Sequence, residues 1–203
     1  MPEPDWRQER KSGMAAIAVS VAVSAILWMA LWQLLPPLTS MDSLEARMLV
    51  ALKCVAFATL FCFVAGIEAV AHERLQSDAF DPLQGHQTER LRVNLRYLQN
   101  TLEQLVVFAV GLFGLAAYLD SGFAMRIVIA LTVVWILNRF AFWIGYHRSA
   151  AMRGLGAPSM VIGLVMLLYV VARIGGDVAG TPGTVIAIAL FLTLEAVLFL
   201  KTR

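Results

Sequence analysis

Six long apolar runs constrain the fold of this sequence more than any other feature. They are Met14–Leu35, Met48–Ala71, Tyr97–Leu119, Phe123–Tyr146, Pro158–Ile174 and Thr184–Leu200. A helix rises ~1.5 Å per residue, so most of these runs reach a ~30 Å hydrocarbon core, and the last two are marginal. Runs of this length satisfy their backbone groups as helices rather than as barrel strands. The sequence therefore predicts an all-α integral membrane protein with six spans.

Composition and charge exclude several other classes of protein. Hydrophobic residues make up 60% of the chain and charged residues 15%, against about 45–50% and about 25% in soluble domains. The net charge of +2 and the absence of a basic patch argue against nucleic acid as a partner. The first run exceeds the ~7–15 residues of a signal-peptide core, so we expect a retained span. Cys54 and Cys62 are expected to be small buried side chains, and the three histidines show no metal-ligand spacing.

The basic residues divide unequally between the two faces that six spans would create. The face with both termini would hold eleven: Arg7, Arg10, Lys11, Arg74, Arg90, Arg92, Arg96, Arg148, Arg153, Lys201 and Arg203. The opposite face would hold three: Arg47, Arg126 and Arg173. Cytoplasmic loops carry the excess of Lys and Arg. We therefore expect a multi-pass bacterial inner-membrane protein with cytoplasmic termini and basic loops.

A polar cluster opens the third apolar run, where charge is costly. Arg96, Asn100 and Glu103 are four and three residues apart, so a helix places them on one face over two turns. Such residues either hold neighbouring helices together or form a binding site. Spacing alone favours the first interpretation.

A second polar cluster ends the fourth apolar run, on the same side of the membrane. Arg139 and Tyr146 are seven residues apart on one helix face, and Arg148 and Arg153 follow in a loop. Tyr146 could be an interfacial tyrosine, and the two loop arginines could be ordinary cytoplasmic charges. Taken together, the two clusters suit an anionic ligand with carboxylates for the arginines and an ammonium for Glu103.

The two clusters resemble the signatures of the MAPEG family, the membrane-associated proteins in eicosanoid and glutathione metabolism. "RYLQNTLE" matches the first signature through Arg96, Asn100 and Glu103. "RFAFWIGYHRSAAMR" matches the second through Arg139, Tyr146 and Arg153, and is most similar to leukotriene synthase and microsomal glutathione transferase members. The resemblance covers residues 48–175.

The resemblance implies a homotrimer of four-helix protomers with glutathione bound between subunits near the cytoplasmic face. The residues it assigns to glutathione binding are Arg96, Asn100, Glu103, Arg139, Tyr146, Arg148 and, more weakly, Arg74. It assigns catalysis to Arg153 and Tyr146, with Arg153 stabilising the glutathione thiolate. The expected activity is conjugation of glutathione to lipophilic electrophiles from the bilayer, reduction of lipid hydroperoxides, or both.

The chain also departs from the family pattern. It has Phe142 where several members have tyrosine or histidine, and Leu98 where relatives often have histidine or glutamine. These departures keep open a non-catalytic lipid-binding or partner-presenting protein. A third interpretation is a purely structural helix bundle or a small carrier. We expect four parts: a tail (1–13), an added first helix and loop (14–47), a MAPEG-like four-helix core (48–175) and an added last helix (176–203).

Overall fold

Five long helices account for most of residues 6–202, the part of the chain that the computed structural model describes. They are α1 (Trp6–Leu34), α2 (Leu44–Leu75), α3 (Glu89–Tyr118), α4 (Gly122–Arg148) and α5 (Ala157–Lys201). Each is long and apolar enough to cross a bilayer. The prediction of an all-α membrane protein is confirmed for these residues. Residues 1–5 of the predicted tail and Arg203 lie outside the described part.

Helix α5 is broken near its middle, so its two limbs correspond to the fifth and sixth predicted runs. Ala179 and Gly180 leave helical geometry, and Gly180 has a φ of 63°. Thr184 Oγ1 donates to the carbonyl of Ala172 at 3.0 Å, although a straight helix would separate these residues by ~18 Å. The chain therefore folds back on itself, and the last two predicted spans are the two limbs of one element, 157–178 and 181–201.

The centre of the bundle is packed by large aromatic rings from α3 and α4 against small residues of α2. Phe108 and Trp135 stack with ring centroids 4.6 Å apart, and both are fully buried. Opposite them, α2 presents Ala51, Ala58 and Cys62. Small side chains let membrane helices approach closely. The predicted burial of both cysteines is confirmed, and both are free thiols.

A π-helical stretch, Thr59–Val64, interrupts α2 beside α3. The wider turn leaves backbone carbonyls without their usual partner four residues on. The carbonyl of Cys62 instead accepts a hydrogen bond from the Tyr97 hydroxyl at 3.0 Å. Directly after the π-helix, Gly66 lets the Tyr97 ring approach the backbone of α2, since a Cβ there would lie 3.0 Å from the ring.

Helix α1 lies outside the four other helices and is attached to α4 by polar contacts at two levels. At mid-height, Asn138 Nδ2 donates to Ser24 Oγ at 2.9 Å. Near the end of α1, Arg126 Nη1 donates to the carbonyl of Leu35 at 2.9 Å, and its guanidinium lies 4.7 Å from the Trp32 ring centre. These contacts fix α1 against the bundle.

The start of α1 packs against the 3₁₀ turn Met152–Gly156, which connects α4 to α5. Ser20 Oγ lies 3.4 Å from the carbonyl of Gly154, to which it donates. A Cβ on Gly154 would lie 2.8 Å from the carbonyl oxygen of Gly13, so glycine is required for this approach. The added helix therefore supports the turn that carries Arg153.

Candidate functional site

A groove at the arginine-rich end of the bundle brings together five of the residues predicted from the sequence. Its walls come from α3, α4, the turn Met152–Gly156 and the first limb of α5, and its volume is ≈ 520 Å³. The predicted residues that line it are Arg96, Asn100, Glu103, Tyr146 and Arg153. Sites for small organic ligands usually measure ~300–1,000 Å³.

Arg139 lies beneath the floor of this groove and is fully buried. Its Nη1 donates to Asn100 Oδ1 at 3.0 Å, and its Nη2 donates to Thr101 Oγ1 at 2.8 Å. The guanidinium also lies 4.6 Å from the ring centre of Phe142, while its Nε has no partner among the described residues. A charge at this depth requires such partners, because an unpaired buried charge is strongly destabilising.

The contact with Arg139 fixes which end of the Asn100 amide faces the groove. Arginine can only donate hydrogen bonds, so the Asn100 oxygen must point towards Arg139. The same oxygen accepts from Gln104 Nε2 at 3.3 Å. The Asn100 nitrogen, with its two donors, is therefore the end that remains for a ligand.

Three polar residues of this network were missed by the sequence analysis: Thr101, Gln104 and Ser159. Ser159 Oγ donates to Gln104 Oε1 at 2.7 Å and lies 3.5 Å from Arg139 Nη1. Gln104 follows Asn100 by four residues, a spacing that signals a shared helix face. Ser159 carries no comparable signal, because its role depends on how α5 packs against α3.

The rim of the groove keeps its charges available. Arg96 Nη1 donates to Gln99 Oε1 at 3.4 Å, and Gln99 Nε2 donates to Glu103 Oε1 at 3.2 Å. Gln99 therefore connects Arg96 with Glu103, and the two do not form a direct ion pair. The ion pairs within residues 6–202 involve other side chains. Both rim charges can thus meet a ligand of the opposite sign.

Arg153 closes one end of the groove. Its guanidinium lies 5.9 Å from the ring centre of Tyr146, and its side chain is exposed. Gly145 and Gly156 allow the turn to fold tightly onto α4, because a Cβ on either would clash with backbone or side-chain atoms across the contact. Arg153 and Tyr146 are therefore held side by side by the shape of this turn.

Two predicted binding residues, Arg74 and Arg148, do not line the groove. Arg148 follows Tyr146 by two residues, which turns it about 200° around α4 and away from that face. Arg74 lies in α2, a helix that contributes nothing to the groove lining. Their assignment to the site remains a prediction.

The groove residues suit a small peptide that carries two carboxylates and one ammonium. Arg96 and Arg153 provide two exposed guanidinium groups, Asn100 provides amide donors and Glu103 provides one carboxylate. Guanidinium groups bind carboxylates through paired hydrogen bonds, and a carboxylate binds an ammonium. Glutathione has this set of groups, so the residues fit it.

The MAPEG family profile matches residues 48–175, a stretch that includes every groove residue. The chain belongs to the MAPEG family. Neither a curated protein nor a solved structure shows a significant match to the chain. The MAPEG stretch begins within α2 and ends in the first limb of α5, so α1 and the second limb lie outside it.

Proposed function

We propose that this MAPEG protein is a glutathione-dependent membrane enzyme that acts on lipophilic electrophiles, lipid hydroperoxides or both. The observation that carries the proposal is the position of Arg153 over Tyr146, in the same groove as Arg96, Asn100 and Glu103. A groove of this kind offers both a means of binding glutathione and a cation beside its thiol.

The binding roles follow from the chemistry of each side chain. Arg96 binds a carboxylate, Asn100 donates from its amide nitrogen, and Glu103 binds the ammonium group. Arg139 holds Asn100 in position from below through the 3.0 Å hydrogen bond. Tyr146 contributes its hydroxyl group and the aromatic face beside Arg153.

The catalytic role of Arg153 is to favour the ionised thiol. When bound, glutathione supplies the nucleophilic thiol, which explains why the protein needs no serine or cysteine nucleophile. A free thiol has a pKa of about 8.5, and a neighbouring guanidinium lowers it. Lowering the pKa by about 1.5 units corresponds to about 2 kcal/mol of thiolate stabilisation.

We further propose a homotrimer whose groove faces the cytoplasm and is completed by a neighbouring subunit. Met160 lines the groove and is 63% exposed, which leaves this wall open to a neighbouring subunit. Glutathione would enter from the cytoplasm, and the lipophilic substrate would enter from the bilayer.

A thiolate titration tests this proposal. Purified protein is expected to bind glutathione and to show the ultraviolet absorbance of the thiolate at neutral pH. Arg153→Ala should abolish that absorbance. Arg92→Ala is the matched control, because it removes an arginine of α3 that lies outside the groove, and it should retain the absorbance. Thiolate formation that survives in Arg153→Ala would refute the assigned role.

The runner-up function is a non-catalytic lipid-binding or partner-presenting protein. Phe142 favours it, because this apolar ring lines the groove where several relatives have a polar group. Glutathione binding without thiolate formation would support this alternative. The absence of glutathione binding, with Glu103→Ala affecting only stability, would support a purely structural bundle.

A further inference from the structure

A second cavity lies between the added helix α1 and the family core. Its volume is ≈ 500 Å³, and α1, α3, α4 and the first limb of α5 all contribute to its wall. Val21, Ala25 and Trp28 line it from α1, and Val165 and Tyr169 line it from α5. Without α1 the cavity would have no outer wall.

The lining of this cavity suits hydrocarbon and offers little to a polar group. Ser24 is one of its few polar side chains, and its hydroxyl is already bonded to Asn138. Tyr169 is another, and its hydroxyl lies 3.5 Å from Arg173 Nη1, while Trp28 Nε1 is buried without a hydrogen-bond partner among the described residues. Charged side chains are absent from the lining. An occupant therefore gains from burying apolar surface.

The cavity adjoins the groove through one shared side chain. Val161 lines the groove on one side and the cavity on the other. Along α5 the cavity extends from Pro158 to Tyr169, a distance of about 16 Å at ~1.5 Å per residue. This is close to half of a ~30 Å hydrocarbon core, the depth of one leaflet.

We propose that this cavity binds the hydrocarbon chain of a lipid-derived co-substrate whose reactive group lies in the neighbouring groove. The occupant is a single acyl chain from the adjacent leaflet, which enters between α1 and α5, where Val21 and Val165 are 44% and 58% exposed. The co-substrate role rests on the proposed function, whereas binding of the chain does not.

Fluorescence quenching tests the binding of the chain without any glutathione. A fatty acid brominated at mid-chain is titrated into the purified full-length protein in nanodiscs, and quenching of tryptophan emission is followed. We expect a saturable component that Trp28→Phe removes. Trp32→Phe, which alters a tryptophan outside the cavity lining, should retain it.

Val165→Phe then tests the position of the chain, with Val171→Phe as the matched control. Val171 lies on the same limb, is 45% exposed and does not line the cavity. Val165→Phe should weaken saturable binding about tenfold, the effect of displacing about two methylene groups. It should also raise the KM for a long-chain unsaturated aldehyde and leave the KM for a small water-soluble electrophile unchanged.

The outcomes separate this inference from the proposed function. Absence of saturable quenching, or equal affinity in Val165→Phe, would overturn the cavity assignment even if small electrophiles are conjugated. Saturable binding that Val165→Phe weakens, with an unchanged long-chain KM, would overturn the co-substrate role and identify a structural lipid. Binding without conjugation of any electrophile would support the chain site and refute the proposed function.

Discussion

Replacing Gly145 with alanine should shift Arg153 without touching it. Gly145 lies in α4 directly beneath the turn Met152–Gly156, and a Cβ there would clash with the carbonyl oxygen of Met152 and lie 2.8 Å from its carbonyl carbon. Ordinary contact begins at 3.4 Å, so the turn must move by at least about 0.6 Å. The residue next to Met152 is Arg153, which moves with it.

The size of the effect follows from the distance dependence of the attraction between charges. Lengthening a guanidinium–thiolate distance from about 4 to about 4.6 Å, at an effective dielectric constant of about 20, weakens the attraction by about 0.5 kcal/mol. That change raises the pKa of bound glutathione by about 0.4 units. At pH values well below the pKa of the bound thiol, the thiolate fraction should fall about 2.5-fold.

The assay is a pH titration of thiolate absorbance in glutathione-saturated protein. Gly13→Ala is the matched control, because Gly13 faces the same turn but its Cβ would meet no atom closer than 3.6 Å. Glutathione affinity and the melting temperature show whether each variant is folded. The argument that the turn positions Arg153 would be refuted by one pair of results. The thiol pKa would be unchanged in folded Gly145→Ala, while Arg153→Ala would return it to about 8.5.

Three further substitutions test other parts of the structure. Glu103→Gln should weaken glutathione binding, measured by calorimetry, about tenfold. Binding of an analogue without the α-amino group should be unchanged, and equal losses for both ligands would contradict the ammonium contact. Arg139→Met should lower the melting temperature by several degrees and weaken glutathione binding, because Asn100 loses its hydrogen-bond partner at 3.0 Å. An unchanged affinity for glutathione would contradict the positioning role of Arg139. Gly180→Ala should destabilise the protein by about 1–3 kcal/mol, because its φ of 63° and ψ of −151° are accessible essentially only to glycine. An unchanged melting temperature would contradict this.

The sequence predicts the helices well because the bilayer requires long apolar runs. Its errors lie where helices extend beyond the hydrocarbon. Helix α3 begins at Glu89, eight residues before the apolar run, because Thr88 caps it by accepting from the Leu91 amide at 3.0 Å. Hydropathy does not detect a polar first turn of this kind. The sequence predicts a loop at the fold-back of α5, whereas helix continues close to both sides of Gly180.

The candidate site is predicted in part for a similar reason. Arg96, Asn100 and Glu103 share a face because helical periodicity places them there, whatever the partner helices are. The contacts of Arg139 with Thr101 and Asn100 depend on which faces of α3 and α4 meet, and one sequence does not contain that information. The same limit explains why Ser159 was missed.

The π-helix Thr59–Val64 makes the orientation of the last part of α2 depend on a single residue. A π turn is one residue wider than an α turn, so deleting one residue from this stretch would restore a regular helix. Everything after it would rotate by about 100° while the helix shortened by only ~1.5 Å. Gly66 would then turn away from Tyr97, and Arg74 would point in a new direction. A single-residue deletion here would therefore reorient the whole end of this helix.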